Sequence, residues 1–200
     1  MASRLDLSTG LRPILKGMAP RAVFLDRDGT LNHDPGYISN PDDLRLMDGV
    51  PEALRLLKDA GFLLVVVSNQ SGVGRGLIPS EALSRVHARM NALLLEAGAP
   101  PRDCFEVCIH HPDEKCICRK PSPELLHRAS LSLKIDLKKS FMVGDRRIDL
   151  EAGRAAGCQA SLLVRTGSGE LEEVFLHASP TEGVVFDDLL AAARWITQQG

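Results

Sequence analysis

The alternation of short apolar runs with amphipathic segments is the feature that most constrains how this 200-residue chain folds. Runs rich in β-branched or bulky apolar residues predict strands, and the segments between them have helical periodicity. The predicted strands span residues 22–25, 62–67, 105–109, 141–143, 161–164 and 184–186, and the predicted helices span 50–60, 80–97, 123–133, 150–156 and 189–197. This order predicts an α/β fold, a Rossmann-like parallel sheet with helices on both faces.

Length and composition favour one compact domain with a small-molecule partner. An apolar content of 44% suits a full-sized core, and a net charge of -2 with interleaved charges gives no basic surface for nucleic acid or an anionic membrane. No apolar run approaches the roughly 18 residues of a membrane span, and residues 1–20 lack the core of a signal peptide. We expect an N-terminal extension over residues 1–20, one domain over 21–200, a cytoplasmic location and a monomer.

Polar residues, together with one glycine, collect where the predicted strands end. Asp26 and Asp28 follow the first strand, Ser68 and Asn69 end the second, and Gly144 and Asp145 end the fourth. Because the carboxyl ends of parallel strands share one edge of the sheet, these residues mark a ligand site. Asp149 adds another carboxylate, so like charges would raise the pKa values unless a cation intervenes. Such an oxygen-rich cluster suits Mg²⁺, and Lys120 supplies a second positive charge.

Four motifs in order give the chain a family resemblance. DRDGT follows the first predicted strand, SNQ the second, RKP precedes a helix, and GDRRID follows a later strand. Over about residues 21–167 the chain resembles the haloacid dehalogenase-like phosphohydrolases. The resemblance implies that Asp26 attacks phosphorus to form an aspartyl-phosphate, and that Asp28 protonates the leaving oxygen and then activates water.

The same resemblance implies roles for the surrounding residues. Magnesium is held by Asp26, the backbone carbonyl of Asp28 and Asp145, and its charge offsets the repulsion between the two acids of the first motif. Ser68 hydrogen-bonds the phosphoryl group and Lys120 neutralises its oxygens. Asp149 orients Lys120 or a water on the metal.

A second cluster lies in the stretch CIHHPDEKCICRKP. Cys108, His110, Cys116 and Cys118 form a CxH...CxC set that suits a closed, structural zinc site in a loop over residues 108–118. His111 is the rival imidazole, and a chance grouping or a redox pair is the alternative. We expect the two cysteines outside this cluster, Cys104 and Cys158, in the hydrophobic core. We expect three histidines on the surface: His87, His127 and His177.

Short loops, rather than a cap domain, are expected to select the substrate, because the interval between Asp28 and Ser68 is too short for a cap. A surplus of cations at the rim fits a substrate with a second anionic group, although Arg146 and Arg147 are equally consistent with an ordinary solvated pair. The predicted substrate-binding residues are Asp34, Gly36, Tyr37, Asn69, Gln70, Ser71, Arg75, Arg119, Lys120 and Arg146.

Capless members of the family with this cysteine loop include heptose bisphosphate phosphatases and histidinol-phosphate phosphatases. HDPGY, VVVSNQSGVGRG, CRKPSPELL and LVRTG resemble the heptose group, whereas the short interval between His110 and Cys116 resembles the histidinol-phosphate group. The resemblance implies removal of the C7 phosphate of D-glycero-D-manno-heptose 1,7-bisphosphate. A histidinol-phosphate phosphatase and a non-catalytic, zinc-stabilised binding domain are the alternatives.

Overall fold

The secondary structure follows the predicted alternation of strands and helices. A computed structural model describes residues 19–176 and 184–199. Its strands are β1 Ala22–Leu25, β2 Leu63–Asn69, β3 Cys104–Cys108, β4 Phe141–Gly144, β5 Ala160–Val164 and β6 Val184–Phe186. Its helices are α1 Val50–Asp59, α2 Ser71–Gly74, α3 Ser80–Glu96, α4 Glu124–Leu133, α5 Arg147–Ala156, α6 Gly169–Leu176 and α7 Leu189–Thr197, with 3-10 turns at Pro41–Asp43 and Leu137–Lys139.

The six strands form one parallel sheet in the order β3-β2-β1-β4-β5-β6. The chain builds the sheet outward in one direction from β1 and in the other from β4. In such sheets the crevice beyond the carboxyl ends of the two strands at the reversal is the usual place for a ligand. The predicted α/β fold is confirmed, and β1 and β4 define the edge where a site is expected.

Both faces of the sheet are buried, as a parallel sheet requires. Val23 and Leu25 of β1 pack into a core that includes apolar residues of α1, α3 and α7. Ala22 and Phe24 point to the opposite face and pack into a second core with residues of α4 and α5. The central strands are therefore held from both sides, which gives the residues that follow them a rigid base.

One predicted helix begins three residues earlier in the structure, and two helices have no counterpart among the predictions. α5 begins at Arg147 instead of residue 150, because the Asp149 carboxylate accepts a hydrogen bond of 3.1 Å from the Arg146 backbone N–H and caps the first turn. α2 was not predicted because it has only one turn. α6 was not predicted because its apolar residues Leu171 and Val174 remain exposed and give no buried stripe.

Residues 26–119, all of which the structure describes, contain no inserted cap domain. The predicted extension over residues 1–20 lies outside the described residues except at Ala19 and Pro20, and so does His177. Within the described ranges, none of the helices combines the length and apolar character needed to cross a membrane.

Candidate active site

A buried lysine joins two carboxylates at the carboxyl edge of the central strands. Lys120 Nζ lies 2.6 Å from Asp26 Oδ1 and 2.6 Å from Asp149 Oδ1, and it donates a hydrogen bond of 2.8 Å to the Val67 carbonyl of β2. Asp26 follows β1 directly and is fixed there by a hydrogen bond from its backbone N–H to the Val143 carbonyl of β4. Two neighbouring strands therefore set the position of Asp26.

Burial and the neighbouring charges shift the ionisation of this cluster. Burial raises the pKa of Asp26 to about 6 against the opposing effect of Lys120, and burial together with the Asp26 charge raises the pKa of Asp145 to about 8. Burial disfavours the charged form of Lys120, but Asp149 and Asp26 outweigh it and raise the pKa of the amine above its usual value. One lysine thus compensates only part of the negative charge at this edge.

The three buried carboxylates fit a bound cation. Oxygens of Asp26, Asp145 and Asp149 lie within 4.8 Å of one another. Asp145 Oδ2 accepts a hydrogen bond of 2.8 Å from the Ser168 backbone N–H, while its buried Oδ1 has no hydrogen-bond partner among the described residues. Gly29, at φ +83°, lies against the Asp145 carboxylate so closely that a Cβ would clash with it. The free, buried oxygen of Asp145 is where a divalent cation would be bound.

The Asp28 carboxylate has hydrogen-bond partners of its own beside Asp26. β1 ends at Leu25, so the side chains beyond it no longer follow strand alternation. Arg27 forms a two-point ion pair with the Asp28 carboxylate, at 2.9 Å from Nε to Oδ1 and 2.7 Å from Nη2 to Oδ2. Each acid of the motif therefore has its own cation, Lys120 for Asp26 and Arg27 for Asp28.

Asn69 and Gln70, both predicted to bind substrate, also form hydrogen bonds with residues that are predicted to be catalytic. The Asn69 side chain donates to the Lys120 carbonyl at 3.1 Å, and its Oδ1 accepts from the Lys120 backbone N–H at 3.0 Å. Gln70 Nε2 donates to Asp28 Oδ2 at 2.7 Å and to Ser68 Oγ at 2.8 Å. The SNQ motif thus links three of the predicted catalytic residues.

These side chains line one cavity of about 350 Å³. Its walls are formed by Asp26, Asp28, Asp34, Gly36, Tyr37, Ser68, Asn69, Gln70, Ser71, Gly72, Arg119, Lys120, Arg146, Ile148 and Asp149. The structure therefore brings together the predicted catalytic residues and every predicted substrate-binding residue except Arg75. Arg75 is exposed and lies outside this lining.

Two guanidinium groups contribute positive charge to the cavity. Arg119 Nη1 is buried and has no hydrogen-bond partner within the described part of the chain. Arg146 Nη2 lies 3.1 Å from Asp34 Oδ2, so Arg146 is tied to the loop after the first motif instead of pointing freely into solvent. Arg147 is exposed and pairs with Glu151 on the helix surface. Of the two adjacent arginines, Arg146 belongs to the cavity and Arg147 does not.

The structure also brings the predicted zinc ligands together. Cys108 Sγ lies 3.6 Å from Cys116 Sγ, and His110 Nδ1 lies 3.5 Å from Cys108 Sγ and 3.2 Å from Cys118 Sγ. All four ligand atoms are within 4.8 Å of one another. His111 instead accepts a backbone hydrogen bond from Asp113. A set of three thiols and one imidazole can hold a soft metal ion in a closed site.

Two functional candidates were missed by the sequence reasoning. The sequence predicts no role for Arg27, which stands between the two acids of DRDGT, and it predicts His87 on the surface. His87 is half-buried, its Nε2 lies 3.5 Å from Arg27 Nη1, and its ring packs on Phe105 at 3.8 Å between centroids. The only available signal was an arginine inside DRDGT, since no local pattern connects it to a histidine on α3.

Comparisons with known proteins show which family the chain resembles. Residues 117–192 match the model of the HAD-hydrolase-like family. The D-glycero-beta-D-manno-heptose-1,7-bisphosphate 7-phosphatase of Haemophilus ducreyi is 42% identical over 156 residues, covering 75% of this chain and 86% of that protein. The protein of the same name from Yersinia pestis is 44% identical over 153 residues, covering 73% and 81%.

The fold has a similar solved counterpart. The crystal structure of D,D-heptose 1,7-bisphosphate phosphatase from B. bronchiseptica, complexed with magnesium and phosphate, superposes with a TM-score of 0.82 at 34% identity. The match covers 90% of this chain and 99% of that one.

Proposed function

Because the chain belongs to the HAD-hydrolase-like family of phosphatases, we propose that it removes the C7 phosphate of D-glycero-D-manno-heptose 1,7-bisphosphate. One observation carries the proposal. The cavity that contains the Asp26 and Asp28 carboxylates also contains Arg119, whose Nη1 is buried without a partner among the described residues. A substrate with two phosphates would place one at the acids and pair the other with this guanidinium group.

The residues divide the chemistry in two steps. Asp26 attacks phosphorus while Asp28 gives a proton to the leaving sugar oxygen, and Asp28 then takes a proton from the water that hydrolyses the aspartyl-phosphate. Lys120, fixed between Asp26 and Asp149, neutralises the phosphoryl oxygens, and Ser68 donates a hydrogen bond to them.

Magnesium fits the cluster of Asp26, Asp145 and Asp149. Asp26, Asp145 and the Asp28 backbone carbonyl would hold the ion, with Asp149 beside them. When bound, the ion neutralises charge on the carboxylates and on the transferring phosphoryl group. The buried Oδ1 of Asp145, which has no hydrogen-bond partner in the part of the chain that the structure describes, supports this assignment, because a buried carboxylate oxygen without a partner is costly.

Zinc fits the cluster of Cys108, His110, Cys116 and Cys118, whose soft ligands leave no open position for catalysis. The role of the zinc is structural. Because Cys118 is only two residues before Lys120, a zinc-bound loop would fix the position of the Lys120 side chain. Metal-binding thiols must stay reduced, which supports a cytoplasmic location, and we expect a monomer.

Histidinol phosphate is the second candidate substrate, favoured by the short interval between His110 and Cys116. Its cationic amine would be repelled by Arg119, whereas a second phosphate would be attracted. A non-catalytic binding domain is disfavoured, because it would have no use for an acid held as Asp28 is held.

The deciding experiment compares kcat/KM for the α and β anomers of the heptose 1,7-bisphosphate with kcat/KM for histidinol phosphate. ³¹P NMR identifies which phosphate is released. We expect the bisphosphate to be preferred and the product to retain its C1 phosphate. An equal or higher kcat/KM for histidinol phosphate would replace this substrate by the second candidate.

A matched pair of variants tests the contact with the second phosphate. Arg119→Gln should lower kcat/KM for the bisphosphate by about ten- to a hundredfold, because a charge-assisted contact is worth about 1.5 to 3 kcal/mol. It should affect a sugar monophosphate far less. Arg75→Gln is the control, since Arg75 is exposed and outside the cavity lining.

A further inference from the structure

Among the described residues, Asp28 accepts four hydrogen bonds, two at each oxygen. Arg27 Nε and Asn32 Nδ2 donate to Oδ1, each at 2.9 Å, and Arg27 Nη2 and Gln70 Nε2 donate to Oδ2, each at 2.7 Å. An ionised carboxylate offers about four lone-pair sites, so every site is occupied. A substrate oxygen can approach Asp28 only by taking the place of one donor.

The donors differ in their position relative to the cavity. Gln70 lines the cavity, whereas Arg27 and Asn32 do not. The bond from Gln70 to Oδ2 is therefore the one that a leaving oxygen in the cavity can replace. Arg27 and Asn32 hold the carboxylate from the protein side, and only Arg27 bonds both oxygens and so fixes the plane of the group.

Arg27 is itself held in place by a histidine. Its side chain is 1% exposed, and its Nη1 lies 3.5 Å from His87 Nε2. Because a guanidinium group can only donate, Nε2 must be the accepting nitrogen. Burial, followed by the charges of Arg27 and Arg102, lowers the pKa of His87 to about 3, so the ring is neutral and able to accept. The Phe105 ring packs against the His87 ring at 3.8 Å between centroids, with the two planes inclined by 41°, and so limits the rotation of the imidazole.

We propose that Arg27, braced by His87, is a positioning residue that aims the Oδ2 side of Asp28 at the leaving oxygen of the substrate. The inference rests on the proposed function of Asp28 as acid and base. For this step Asp28 carries a proton on Oδ2, in the position that the Gln70 donor otherwise occupies. As the P–O bond to the sugar breaks and the bond from Asp26 to phosphorus forms, this proton passes to the sugar oxygen. Asp28 recovers a proton from the water that later attacks the aspartyl-phosphate.

Two substrates with different leaving groups test this role. A sugar alkoxide must be protonated as it leaves, whereas p-nitrophenolate leaves without a proton. The quantity to compare is kcat/KM, which reports on the steps up to transfer of the phosphoryl group to Asp26. A residue that acts by aiming Asp28 should affect the sugar phosphate far more than p-nitrophenyl phosphate, whereas general damage should affect both equally.

Two variants are compared. Arg27→Lys keeps the positive charge but loses the two-point contact with Asp28, and His87→Phe keeps an aromatic ring beside Phe105 but loses the nitrogen that accepts from Arg27. We expect kcat/KM for the heptose bisphosphate to fall about a hundredfold in the first and about tenfold in the second. For p-nitrophenyl phosphate we expect less than about a threefold fall in both. Arg102→Lys is the control, because Arg102 also packs on Phe105 but does not contact Arg27.

Equal falls on both substrates, or no fall on the sugar phosphate, would overturn the inference. Should Arg27→Lys show no cooperative thermal unfolding, His87→Phe decides. Asp28→Asn separates this inference from the proposed function. If Asp28→Asn shows no selective loss of kcat/KM on the sugar phosphate, Asp28 is not the acid and the proposed function fails. If Asp28→Asn shows the selective loss but Arg27→Lys and His87→Phe do not, only the positioning role of Arg27 and His87 is wrong.

Discussion

The side-chain amide of Asn69 forms two hydrogen bonds with the backbone of Lys120, one as donor and one as acceptor. Asn69 Nδ2 donates to the Lys120 carbonyl at 3.1 Å, and the Lys120 backbone N–H donates to Asn69 Oδ1 at 3.0 Å. The end of β2 thus sets the position of the backbone from which the Lys120 side chain extends. Because Lys120 Nζ must reach both Asp26 and Asp149, this pairing positions the cation of the site.

Asn69→Asp should lower kcat about ten- to a hundredfold, because the new oxygen would face the Lys120 carbonyl and displace the lysine by a fraction of an ångström. Steady-state kinetics with the heptose bisphosphate measures the effect. Asn40→Asp is the matched control, since Asn40 is an exposed cap of the Pro41–Asp43 turn, where aspartate serves equally well. A kcat for Asn69→Asp equal to that of the control would refute the role.

Cys116→Ser should remove the zinc and lower both the melting temperature and kcat, because the loop before Lys120 would lose its anchor. Elemental analysis of reduced protein gives the zinc content, and thermal unfolding gives the stability. Cys104→Ser and His111→Ala are controls, since both residues lie outside the ligand cluster. Protein that carries no zinc before mutation would contradict the assignment.

Magnesium should bind more tightly as the pH rises toward about 8. Burial and the Asp26 charge raise the pKa of Asp145 to about 8, so the carboxyl group must lose a proton before it can bind a cation. Calorimetric titrations in two buffers with different ionisation enthalpies measure the protons released. We expect net release at pH 6 to 7 that diminishes above about pH 8. Binding without proton release at pH 6 to 7 would count against Asp145 as a ligand.

His87 should make the folded protein less stable in acid. Its pKa is lowered from 6.5 to about 3 in the folded state, so between these values the unfolded chain binds more protons. The stability therefore falls as the pH falls through this window. Melting temperatures of the wild type and His87→Phe, compared at about pH 7.5 and about pH 5, measure the difference. The wild type should lose more than the variant; an equal loss would mean that His87 is not buried as a neutral ring.

The sheet and the position of the site could be predicted because they depend on local patterns. The apolar runs gave the strands in order, and the acids and amides after them share one edge because parallel strands end together. Helix starts were less certain where one residue has two roles. The GDRRID motif predicts Asp149 as a site residue, and the same carboxylate also caps α5, so the helix begins at Arg147.

What could not be predicted depends on contacts between distant parts of the chain. The contact of Arg27 with His87 joins the loop after β1 to the middle of α3. Neither segment contains a local sequence pattern that predicts this contact. Arg75 looked equivalent to Arg119 in the sequence, since both lie in glycine- or cysteine-rich loops near the predicted edge. Only the folded loops show that Arg119 faces the cavity while Arg75 is exposed.

The most direct test of the account is to trap the phosphoryl group on Asp26. Asp28→Asn, incubated with p-nitrophenyl phosphate and magnesium, can still form the aspartyl-phosphate because the leaving group needs no proton, but it lacks the base that hydrolyses the intermediate. Rapid acid quench followed by peptide mass spectrometry should find one phosphoryl group on the peptide that contains Asp26. Asp26→Asn combined with Asp28→Asn should show none. A phosphoryl group on another residue, or none on Asp28→Asn protein that releases p-nitrophenol, would contradict the division of roles between Asp26 and Asp28.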